Sequence, residues 1–151
     1  MALKAKQTLG KREFVDFPDL GLFRINAKID TGAYTPALHC HAVRLKEEKG
    51  RPVLCFIPLG EHDGGPEKEY CFSEFRKKQI RNSFGDTEER YMIRTRIRIG
   101  RRMIHSLISL SDRGGMRYPV LIGRKLLKKR FIVDVEQEHV GRKFKPKKGV
   151  L

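Results

Sequence analysis

The residues best suited to chemistry lie in one run, Ala27-Lys28-Ile29-Asp30-Thr31-Gly32-Ala33. Asp30 offers a carboxylate for general acid–base work, Thr31 a hydroxyl that can hold a loop, and Gly32 room for a close backbone approach. The same Asp-Thr-Gly tripeptide is also a common surface turn, so the rest of the chain must decide between the two. Other candidates are weaker. His39-Cys40-His41 gathers soft ligands, but alternate residues of a strand face opposite sides, so only His39 and His41 could converge. Cys55, His62, Cys71, His105 and His139 add no HExxH or CxxC spacing, and there is no GxxxxGK[ST] phosphate loop. The expectation is therefore no metal and no cofactor.

A strand must deliver Asp30, and Phe23-Arg24-Ile25-Asn26-Ala27-Lys28-Ile29 alternates with the required period of two. Short strands recur along the chain: 13–17, 37–45, 53–57, 70–81, 90–99, 103–110, 120–122 and 131–135. Turn signals separate them at Pro18–Gly21, Lys46–Gly50, Gly60–Glu67, Asn82–Asp86 and Gly100-Arg101. Only Arg124–Arg130 reads as helical, about two turns. The pattern predicts an all-β barrel or sandwich: a basic, loosely docked segment over 1–12, one domain over 13–140 and a flexible basic tail over 141–151.

At 151 residues the chain is long enough for one self-sufficient core, and a net charge of +15 favours acidic partners. Basic residues concentrate between Arg76 and Arg102 and between Arg124 and Lys148. If Arg94, Arg96 and Arg98 share a face, they form an electropositive stripe. No apolar run reaches the ~20 residues of a membrane span, and no signal-peptide core is visible. Three cysteines, Cys40, Cys55 and Cys71, are read as reduced thiols of a cytoplasmic protein.

Four segments in order carry a resemblance. They are Gly10–Val15 with Pro18–Gly21, then Ala27–Ala33, then Arg90-Tyr91-Met92-Ile93, and last Asp112-Arg113 with Met116 and Tyr118–Arg124. Together they resemble the bacterial and archaeal family known as ATP-dependent zinc proteases, which is similar to retropepsins. The resemblance implies a retropepsin-like closed barrel with one short C-terminal helix and an aspartic-type peptidase centred on Asp30, Thr31 and Gly32. It also implies substrate contacts from Ala33 and from a flap at Ser83, Phe84 and Gly85. Ile122, Gly123 and Arg124 would support the catalytic loop. The zinc and ATP of the family's name find little support in the residues. Tyr34 and Pro36 depart from the family's usual Arg and Ser.

Such proteolysis needs two carboxylates sharing a proton, because like charges ~3 Å apart cannot both ionise. Only one Asp-Thr-Gly is present, so the expected enzyme is a twofold homodimer. The resemblance further implies peptide or protein substrates, acidic or glutamate-rich, and a functional link to ATP-grasp glutamate ligases. The alternative is a non-enzymatic basic module of the same fold that binds nucleic acid or an acidic protein.

Overall fold

The computed structural model describes residues 5–60, 67–81, 84–112 and 117–142. Among the described residues there are eleven strands: β1 (Gln7–Leu9), β2 (Arg12–Phe17), β3 (Leu22–Ile29), β4 (Ala37–Glu48), β5 (Arg51–Pro58), β6 (Tyr70–Phe72), β7 (Arg76–Arg81), β8 (Thr87–Ile99), β9 (Arg102–Ser111), β10 (Val120–Ile122) and β11 (Phe131–Val133). Six of them close a barrel in the order β10-β3-β2-β8-β9-β4, with β4 pairing back onto β10. Strands β5 and β6 extend the sheet beyond β4, β7 pairs with β8 outside the ring, and β1 pairs with β11 separately. The fold is all-β with one short helix, as the strand spacing predicts.

Period-two alternation builds the core. In β8, Ile93, Thr95, Ile97 and Ile99 point inward, while Arg94 and Arg96 face solvent. Phe17, Leu38, Phe56, Ile108 and Ile122 join them at 0–1% exposure. Each such side chain contributes about 1.5–3 kcal/mol of burial. In β3 the simple alternation fails once. Arg24 takes φ +56° where β2 slips register between Val15 and Phe17, so Leu22 and Ile25 are both buried while Phe23 is 61% exposed.

Several expectations are corrected. Residues 7–9 are not loosely docked: they form β1 in parallel register with β11, and Leu9 is fully buried. At the other end Gly141 donates its N–H to the buried Glu13 carboxylate, which also accepts from Gly10 and Val140. Arg142 pairs with Asp16 at 2.7 Å. The segment 70–81 is two strands rather than one, because β6 continues the β5 edge while β7 crosses to β8. The helix α1 is only Arg124–Leu127, since Lys129 at φ +69° turns the chain into β11.

The cysteines are corrected too. Cys55 and Cys71 face each other across β5 and β6 with Cα atoms 4.1 Å apart, and they form a disulfide. Spacing alone could not show this, because the pairing depends on strand register. Cys40 remains a buried thiol, its pKa pushed up to about 12 by desolvation.

Candidate functional site

Asp30 follows directly on β3, and the chain returns into β4 at Ala37. Strand β10 lies between these two, parallel to β3 (Ile122↔Ile29) and antiparallel to β4 (Leu121↔Ala37). The loop from Asp30 to Pro36 is therefore anchored from behind by the end of β10. The Asp30 N–H donates to the Ile122 carbonyl at 2.9 Å, and the Ala33 N–H donates back to the Asp30 carbonyl at 3.2 Å. The carboxylate is oriented by its own loop, accepting the Gly32 N–H at Oδ1 over 3.0 Å. Asp30 is half-buried and Thr31 and Gly32 are exposed, so the acid is presented outward with its backbone fixed.

The segment after β10 closes the frame. The N–H groups of Arg124 and Lys125, at the start of α1, donate to the carbonyls of Ala33 and Tyr34 at 2.8 and 2.9 Å. The Arg124 guanidinium donates to the Thr31 carbonyl at 2.9 Å and lies over the Tyr34 ring, 5.8 Å from its centroid. Gly123 allows this approach. A Cβ there would fall inside contact distance of the Tyr34 carbonyl oxygen and 2.6 Å from its carbon. Gly32 has less at stake, since an added Cβ would lie 3.2 Å from Asp30 Oδ1.

The residues expected to form a flap fall between β7 and β8, beyond the pair Arg81↔Thr87. Phe84 is 90% exposed there and Gly85 takes φ +86°. Ser83 lies outside the described residues. The base of this arm reaches the Asp30 loop: a cavity of about 250 Å³ is shared by Ala33, Tyr34 and Thr35 with Lys78 and Arg90. A broader groove of about 660 Å³ lies on the other flank, lined by Lys6, Thr31, Tyr34, Arg124 and Phe131 among others. Sequence reading missed Lys78, Arg90 and Ser109 in the first cavity; only the register of β7, β8 and β9 brings them together.

The arginine stripe is only partly available. Arg94, Arg96 and Arg98 do share the outer face of β8, but Arg96 is held by Asp19 through bonds of 2.6–3.2 Å. That guanidinium lowers the Asp19 carboxyl to about 2. His39 and His41 form no ligand group among the described residues; His41 Nδ1 meets the Leu59 carbonyl at 2.7 Å. Cys55, Glu69 and Cys71 do come together. Their sulfurs are spent in the disulfide and Glu69 pairs with Arg44 and Lys46, so this set does not fit a cation.

Residues 8–144 match the family described as RimB-like, retropepsin-like aspartic endopeptidase RimB. Two relatives, each called a probable alpha-L-glutamate ligase, come from Desulfotalea psychrophila and Parasynechococcus marenigrum. Both are 30% identical to this chain, over 86% and 89% of it. The chain spans only 28–29% of the length of these relatives. A crystal structure of a Legionella pneumophila protein of unknown function superposes with a TM-score of 0.70. It is 24% identical, and the match covers 91% of this chain and all of that one, which supports the fold alone.

Proposed function

Because this chain belongs to the RimB-like family of retropepsin-like aspartic endopeptidases, we propose that it hydrolyses peptide bonds with two Asp30 carboxylates, one from each copy of a homodimer. The observation that carries this reading is the Asp30 loop, an outward-facing carboxylate whose backbone is tied to Ile122 and Arg124. A lone carboxylate lacks the second group that the chemistry needs. In the pair, one ionised Asp30 takes a proton from water as the water attacks the scissile carbonyl, and the protonated Asp30 gives its proton to the carbonyl oxygen. Collapse of the tetrahedral intermediate breaks the C–N bond, and the amine leaves with the proton that came from water. The two apparent pKa values belong to the pair.

The remaining roles follow from position. Thr31 locks one loop to its twin, Gly32 and Ala33 leave room for the substrate backbone, and Arg124 holds the loop through the Thr31 carbonyl. Phe84 and Gly85 cover the bound peptide from the β7–β8 arm. Exposed Tyr34, Ile132 and Val135, at 55–70% exposure, offer apolar surface for the second copy. The net charge of +15 and the glutamate-ligase names of the relatives support acidic, glutamate-containing peptides as substrates, in functional partnership with such a ligase.

The second reading, a binding module for nucleic acid or an acidic protein, is favoured by the exposed Arg94 and the overall charge. Asp30→Asn decides between them. Loss of cleavage by about 10³-fold or more with folding intact supports the peptidase. A parent that cuts no peptide, and whose polyanion binding is unchanged by the substitution, supports the module.

A further inference from the structure

One row of register partners runs across four strands: Met92 (β8) opposite Ser109 (β9), Ser109 opposite Ala37 (β4), and Ala37 opposite Leu121 (β10). All four line the cavity of about 250 Å³ beside the Asp30 loop, so this row lines one side of it. Arg90, two residues from Met92 on the same face of β8, and Lys78, directly opposite Arg90 on β7, line it as well. Tyr34 and Thr35 supply lining from the loop.

Two features of this cavity are costly when it is empty. Ser109 is only 3% exposed and its hydroxyl has no hydrogen-bond partner among the described residues. The Arg90 Nε is likewise buried without a partner among the described residues, while a terminal nitrogen of the same guanidinium pairs with the Glu88 carboxylate at 3.8 Å. Furthermore, like charges directly opposite one another in a sheet repel, and Lys78 and Arg90 are such a pair. Among the described residues no Asp or Glu lines the cavity to offset them. A single anion with several acceptor sites would offset both cations, and rotation of the Arg90 and Ser109 side chains, whose orphaned atoms are closed to solvent as they stand, would bring both donors to it.

We propose that this cavity is the subsite for the carboxylate of an acidic substrate side chain, with Arg90 and Lys78 supplying the charge and the Ser109 hydroxyl the directional bond. The proposal rests on the peptide-hydrolase reading for what the carboxylate is attached to. It adds the residues that would select it. Ser109 makes its own diagnostic possible: removing an unpartnered buried hydroxyl raises stability, whereas removing a substrate contact lowers selectivity.

The test uses two synthetic peptides, one alternating alanine with glutamate and the other alanine with glutamine, offered to the full chain and to Arg90→Gln, Lys78→Gln and Ser109→Ala. The native protein should favour the glutamate peptide by about tenfold or more in kcat/KM. Arg90→Gln should bring the ratio of the two peptides towards one, chiefly through KM, and Lys78→Gln should lower it less. Ser109→Ala should raise Tm while lowering the ratio. An unchanged ratio in all three folded variants overturns the subsite while leaving hydrolysis intact. Should the native protein cut neither peptide, the hydrolase reading fails, and fluorescence anisotropy with the labelled glutamate peptide decides the subsite. Binding that weakens about tenfold in Arg90→Gln sustains it. Absent binding, or binding indifferent to Arg90, overturns it.

Discussion

Residues 30–36 and the arm made of β7 and β8 line the same cavity, yet they are held in different ways. The loop is tied down by four backbone bonds to other elements, Asp30 to Ile122, Arg124 to Ala33, Lys125 to Tyr34 and Ser109 to Pro36, with the Arg124 side chain on Thr31 as a fifth tie. The arm carries an edge strand, since β7 has β8 as its only partner among the described residues. The side chains of residues 76–79 and 87–89 are exposed, and the cross-strand ion pair Lys77–Glu89, at 2.9 Å, is half-exposed at both ends. Such a pair is worth little. On the proposed reading, positional accuracy is thus concentrated where the carboxylate is aimed, and latitude is left where substrate would enter.

The comparison breaks most sharply at Gly123. Gly123→Ala sets a methyl group against the Tyr34 backbone, which cannot swing aside as a side chain can. We expect about 2–4 kcal/mol of lost stability in urea unfolding, together with loss of cleavage. A stable, active Gly123→Ala protein would show that the loop is looser than its bonds imply.

A smaller effect is expected at Arg124. Arg124→Ala removes the bond to the Thr31 carbonyl but not the two backbone bonds beside it. Stability should fall by about 1 kcal/mol, while kcat drops more than KM rises because the carboxylate loses its alignment. The smallest stability effect belongs to the arm. Phe84→Ala should move stability by less than about 0.5 kcal/mol, because the side chain is 90% exposed. It should nonetheless raise KM for peptide substrates. A large destabilisation there would erase the distinction between anchored loop and open arm.

How far the sequence revealed this arrangement depends on which interactions set each part. The strand into Asp30 was legible because one face of β3 is buried, and Val120–Ile122 because a short apolar run ends at a glycine. The Phe23 reversal was not, because it follows from a bulge created by pairing with β2. Nor could residue spacing reveal the Cys55–Cys71 bond or the meeting of Lys78, Arg90 and Ser109. Each needs the register between strands distant in sequence. The short α1 has the same cause: residues 128–130 have helical composition, but the chain must turn at Lys129 to place β11 on β1. The stripe of three arginines was legible as a face and misleading as a charge, because Asp19, a residue of the turn before β3, takes up the central one.

The pairing of two Asp30 residues is best tested by mixing native and Asp30→Asn subunits after exchange, at constant total protein, and measuring peptide cleavage against composition. If the active centre takes one carboxylate from each copy, activity falls as the square of the native fraction, to about one quarter in an equal mixture. A linear fall, with about half the activity left at equal mixing, would mean that each chain works alone and would contradict the shared centre.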